Sequence, residues 1–188
     1  MIRIRPGRSW RMNPGYLGEL RALSAPRAKT FDGGGILDVL GIEVDGVDIA
    51  AGVGEAEVLV AVDELLAALR LLAQGGAAAQ ATVGRGPTEL VLESRGTDVL
   101  LSLVTLAPPA RVLASGLLLD SARLWSAAAS AARSLAADLL HISPAVGQSP
   151  LLRRLRRASR QPARQPVAVW PSSEGRSFVA RAGRGAVH

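Results

Sequence analysis

Between Ile36 and Leu140 the spacing of apolar residues switches from two to three-or-four, back to two, and again to three-or-four, and few folds accept that order. The segment Ile42-Glu43-Val44-Asp45-Gly46-Val47-Asp48-Ile49 alternates on both sides of an Asp-Gly pair, the signature of a two-residue type I′ hairpin. In that register Val44 faces Val47 and Ile42 faces Ile49. Glu43 then opposes Asp48, a like-charge pair that costs stability unless a cation lies beside it. From about Ala56 to Ala73, Val58, Val62, Leu65, Leu66, Leu69 and Leu72 recur at helical spacing, and Gln74-Gly75-Gly76 stops the helix. Ala79–Val83 reads as a strand, and Glu89–Glu93 with Thr97–Leu106 as a hairpin around Ser94-Arg95-Gly96. The run Val99–Leu106 is apolar nearly throughout, which predicts a central strand covered on both faces. Beyond Pro108-Pro109, Arg111–Leu119 is a further strand, and Asp120-Ser121 caps a helix from about Ala122 to Leu140. Strand runs each followed by a helix predict an α+β fold, a mainly antiparallel sheet of about five to six strands packed with two helices.

The flanks read differently. Residues 1–35 hold Pro6, Pro14, Pro26 and Gly33-Gly34-Gly35 without a sustained period, and predict a basic, flexible or loosely docked arm, with a short helix around Tyr16–Leu23. Residues 36–142 form the folded domain. In 143–188, Ser143 to Pro150 is a linker, and Ser149-Pro150 opens a basic amphipathic helix, Leu151-Leu152-Arg153-Arg154-Leu155-Arg156-Arg157. Gln161–Pro166 is a second linker, and Val167–Trp170 with Ser177–Ala180 forms a terminal hairpin or the opening of a further module. No internal repeat is evident.

Charge follows the same division. Residues 1–30 carry a net +6, residues 31–150 a net −8 and residues 151–188 a net +8, so the overall +6 and the pI near 11.2 describe the ends rather than the middle. The basic residues are 21 arginines and Lys29 alone, a bias that codon usage in a G+C-rich genome explains without selection for the guanidinium. Aromatics make up 3% of the chain, so the core is aliphatic and offers few ring faces for stacking a base or a flavin. The absence of cysteine excludes disulfides, thiolate nucleophiles and cysteine-based zinc sites. The N-terminus is charged but has no apolar segment behind it, and the longest apolar reach, Val99 to Leu119, is broken by prolines and Arg111. These features predict no secretory signal, no membrane span and a cytoplasmic location.

Catalytic constellations are sparse. The two histidines are His141 and His188, and no Gly-x-Ser-x-Gly elbow accompanies them; His141 reads as a helix C-terminal residue. Gly52-Val53-Gly54 lacks the third glycine of a dinucleotide loop, and Glu55 and Glu57 would repel a pyrophosphate there. Glu43, Asp45, Asp48, Glu55, Glu57, Asp63 and Glu64 crowd one stretch without the spacing of a calcium loop, and read as an acidic face. No cofactor or metal is called for.

The candidate binding residues are therefore Arg153, Arg154, Arg156, Arg157 and Arg160, suited to phosphates or to an acidic protein surface, this chain's own middle included. An anionic membrane taking Leu151, Leu152 and Leu155 ranks lower. Trp125 reads as a residue of the core or its rim, whereas Trp10 and Trp170, in the arms, are placed to anchor a partner. The expected function is a non-enzymatic protein-interaction or assembly module, acting on an unidentified partner or on itself. A nucleic-acid-binding protein using the C-terminal arginines is the alternative, and an unfamiliar enzyme using the Glu43–Glu64 carboxylates is the third reading.

Overall fold

Eight strands and five α-helices follow one another in a computed structural model that describes residues 1–84 and 86–160. In chain order these are β1 (Ile2–Pro6), α1 (Pro14–Arg21), α2 (Ala25–Ala28), β2 (Leu37–Val44), β3 (Val47–Asp48), β4 (Glu55–Glu57) and α3 (Val58–Ala73). Then come β5 (Ala78–Thr82), β6 (Thr88–Arg95), β7 (Asp98–Thr105), β8 (Arg111–Asp120), α4 (Ser121–Ile142) and α5 (Pro150–Ala158). The class is α+β and all pairing is antiparallel, but the strands form two four-stranded sheets rather than one of five to six. In the first sheet β2 is central and pairs β1, β3 and β4; the second is the meander β5-β6-β7-β8. Apolar spacing identifies strands but not their partners, which is why the split was not visible in the periodicity.

The hairpin at residues 42–49 forms in the expected register, with Asp45 at φ 49° and Gly46 at φ 88°, the two left-handed positions that a type I′ turn requires. Glu43 does face Asp48, and the cations that make this tolerable come from β1. Arg5 Nη2 is 2.8 Å and Arg3 Nη1 3.8 Å from the Glu43 carboxylate. Asp48 is further occupied by the backbone N–H groups of Ile42 and Ala50, which donate to its Oδ1.

Helix α3 contacts strands of both sheets and packs on α4, so one continuous aliphatic core joins them, built on Leu59, Leu65, Leu66, Leu90, Leu92, Leu101, Leu124 and Leu135. The expected cap is in place on α4, where Asp120 Oδ1 accepts from Arg123 N, and on α5, where Ser149 Oγ accepts from Leu152 N. Strand β7 is interior to its sheet, with Val99, Leu101 and Leu103 buried. Its other face, Leu100, Ser102 and Val104, is only half-buried, so the expectation of cover on both sides is corrected.

The N-terminal segment is not a loose arm. Ile2 to Pro6 pair with Val44 to Leu40, and Trp10, at 2% exposure, joins the core with Leu20 and Ala28. Trp10 is therefore a core residue, not an exposed anchor. The physical reason is the buried carboxylate of Asp38 on β2. Ser9 Oγ donates to it at 2.8 Å, Trp10 N at 3.2 Å and Val39 N at 2.8 Å, tying the exit of β1 to the sheet. Arg8 and Arg11 continue the attachment onto Asp138 of α4, at 3.1 and 3.2 Å. The second linker, the terminal hairpin and Trp170 lie outside the described residues.

Candidate functional site

Helix α5 settles where the leucines of the basic segment go. Leu151, Leu152, Leu155 and Ala158 are buried against α3 and α4, which removes them from any membrane contact. Among the described residues no helix is long and apolar enough to cross a membrane. Arg154 turns back on the body and donates from Nε and Nη2 to Asp63 Oδ2 of α3, at 3.0 and 2.8 Å. Arg153 donates to the carbonyl of Gln148. All five arginines are exposed, and two of them, Arg153 and Arg154, also brace the helix.

The acidic residues do not assemble. Glu43 is taken by Arg3 and Arg5, Asp63 by Arg154, and Glu64 Oε2 accepts from Thr82 N on β5. Asp45 accepts from the terminal ammonium; that hydrogen bond, then the charge of the same group and of Arg123, hold its carboxyl below the ordinary aspartate value. Among the described residues no group of three or more potential ligands is placed to hold a metal ion. His141 is exposed at the end of α4.

A different site emerges along β1. A groove of about 540 Å³ is lined by Met1, Ile2, Arg3, Ile4 and Arg5 on one side and by Arg123, Ser126, Ala127 and Ser130 of α4 on the other. Four consecutive strand residues, Ile2 to Arg5, can line one hollow only if it runs along the strand's edge, because successive side chains point to opposite faces. The helix residues stand at spacings of three, four and seven, one face of α4. The groove is thus bounded by a strand edge and a helix face.

Hydrogen bonding shows which backbone groups that edge presents. Asp45 N donates to Met1 O and Gly7 N to Val39 O, so the odd-numbered residues of β1 turn their N–H and C=O toward β2. Alternation in an antiparallel pair then turns those of Ile2 and Ile4 into the groove. Pro6 has no N–H and closes the row. Arg3, Arg5 and Arg123 are exposed around it, with Glu43 beside Arg3 and Arg5 and Asp45 beside the terminal ammonium, and Ser126 and Ser130 are two exposed serines. The site is cationic and open, and no other strand among the described residues pairs this edge of β1.

None of these groove residues was singled out from the sequence. The signal was present in Ile2-Arg3-Ile4-Arg5-Pro6, a period-two run ended by proline, but a five-residue strand carries no information about the helix that flanks it. Compared with protein-family models, curated protein sequences and solved structures, the chain matches none.

Proposed function

We propose that this chain is a protein-interaction module that receives an extended, acidic segment of a partner as an added strand beside β1. The observation that carries the reading is the groove between α4 and the edge of β1 that no strand among the described residues pairs. Main-chain pairing to Ile2 and Ile4 supplies affinity without regard to sequence, and Arg3, Arg5 and Arg123 select for carboxylates at alternate positions.

The test is fluorescence anisotropy of the full chain with an end-blocked hexapeptide of alternating valine and glutamate, against its lysine counterpart. The reading expects binding of the glutamate peptide that weakens with salt, little binding of the lysine peptide, and about a fivefold loss on Arg123→Glu, in line with a rim charge of modest energy. N-methylation of alternate peptide residues abolishes one hydrogen-bonding edge and should prevent binding. Equal affinity for both peptides, or indifference to N-methylation, would sink the reading.

A second reading, nucleic-acid binding through Arg156, Arg157 and Arg160, is favoured by their shared exposure on α5 and in the turn that follows it. Trp10 and Trp125 are buried and cannot stack on bases, so these arginines would act through phosphates. It predicts a steep salt dependence for a DNA duplex that Arg156→Glu with Arg157→Glu removes. Duplex affinity unchanged by that pair would exclude it.

A further inference from the structure

One face of the second sheet is buried and the other is open. Leu90, Leu92, Val99, Leu101 and Leu103 point into the core, and the alternate residues of β6 and β7 point out. On that outer face Val104 stands between Glu89 and Val112, and Leu100 between Glu93 and Leu118. Val91 lies between the two glutamates on β6, opposite Ser102. Val112 is 63% and Leu118 60% exposed, so no described element covers that side of the patch. Contiguous aliphatic side chains of this kind mark a docking surface, where single scattered ones do not. The charged residues that β6, β7 and β8 place on the same face are Glu89, Glu93, Asp98 and Asp120 against Arg95, so the patch has an acidic margin.

The chain itself carries a segment of the complementary kind. It continues for 28 residues beyond Arg160, with Arg164, Arg176, Arg181 and Arg184 against Glu174. Within this stretch Arg176-Ser177-Phe178-Val179-Ala180-Arg181 sets an aromatic ring and its apolar neighbours between two cations. Helix α5 packs on α3 and α4, so those helices and the sheet itself stand between the end of α5 and the outer face. The 18 residues from Arg160 to Phe178 span up to about 60 Å when extended. That is about half the girth of a folded body whose radius of gyration is about 15 Å, so Phe178 can pass round to the outer face. The β1 groove is the wrong partner for this segment, because Arg3, Arg5 and Arg123 repel it.

We infer that residues 176–181 dock on the outer face of the second sheet of their own chain. Phe178 and its neighbours cover the aliphatic patch, and the arginines meet the acids at its margin. Burial of the ring supplies affinity and the charges supply the choice of surface. Tethering in one chain makes the contact effective at an affinity too low to hold a separate molecule. The inference is independent of the β1 groove, which lies in the other sheet.

The chain has no cysteine, so pairs of serine-to-cysteine replacements report proximity without background. In the full chain, Ser177→Cys is combined with Ser102→Cys on the outer face or with Ser130→Cys in the β1 groove. Disulfide closure is measured at equilibrium in glutathione buffer by mass spectrometry at two protein concentrations, with circular dichroism to establish folding. The Ser102→Cys pair should close within one chain at an effective concentration about tenfold above the Ser130→Cys pair. Adding Phe178→Ala, or Glu89→Gln with Glu93→Gln, should lower the first value about fivefold and leave the second unchanged. Equal values for the two pairs, a first value indifferent to both changes, or disulfides formed only between chains would overturn the inference.

Discussion

Replacing Gly7 by alanine isolates the contact that turns the N-terminal residues into part of the sheet. A Cβ at position 7 would lie 2.0 Å from Oδ1 and 2.4 Å from Cγ of Asp38. Asp38 is short and buried, and its oxygens are engaged by Ser9, Trp10 and Val39, so it can yield only by giving up those bonds. Hydrogen bonds to a charged acceptor contribute about 1.5–3 kcal/mol each. Loss of one or two, offset by up to about 1 kcal/mol from the reduced backbone freedom of the unfolded chain, gives a net destabilisation of about 2–4 kcal/mol. Urea unfolding followed by circular dichroism measures it. With Asp38→Ala already present, the clash is gone and Gly7→Ala should be close to neutral, a coupling of about 2 kcal/mol or more in the double-mutant cycle. A Gly7→Ala variant as stable as the parent would refute the reasoning, because a loose N-terminal arm is the arrangement that tolerates it.

Other substitutions separate packing from charge elsewhere in the fold. Leu155→Ala should cost about 2–4 kcal/mol by urea unfolding, since that side chain is wholly buried beneath α5. Arg154→Ala, which removes an ion pair with an exposed guanidinium, should cost about 1 kcal/mol or less. The reverse order would mean that the charge, rather than the leucines, docks the helix. Asp120→Ala removes the cap of α4 and should lower stability by about 1 kcal/mol; no change would show that another group satisfies Arg123 N.

Local chemistry was readable wherever a residue type has one conformational use. Asp45-Gly46 specified its turn, and Asp120 and Ser149 specified helix starts, because few other side chains do those jobs. The two long helices were legible from leucine and alanine spacing. What spacing does not encode is the partner of each face. The leucines of α5 were visible as a stripe, but their burial against α3 and α4 depends on a packing that no local window contains. The segment of residues 1–35 is held by Asp38 and Asp138, acids that are distant in sequence and ordinary in type. Proline and glycine density was therefore a misleading sign there. The groove shares this origin, since it exists only once β1 is fastened to β2 and lies beside α4.

The claim that the outer edge of β1 receives an added strand is tested most directly by amide NMR during titration of the alternating valine–glutamate peptide. The account predicts that shift changes and slowed amide exchange concentrate at Ile2 and Ile4 and along the Arg123–Ser130 face of α4. Perturbations confined to α5, or spread evenly over the surface, would contradict it.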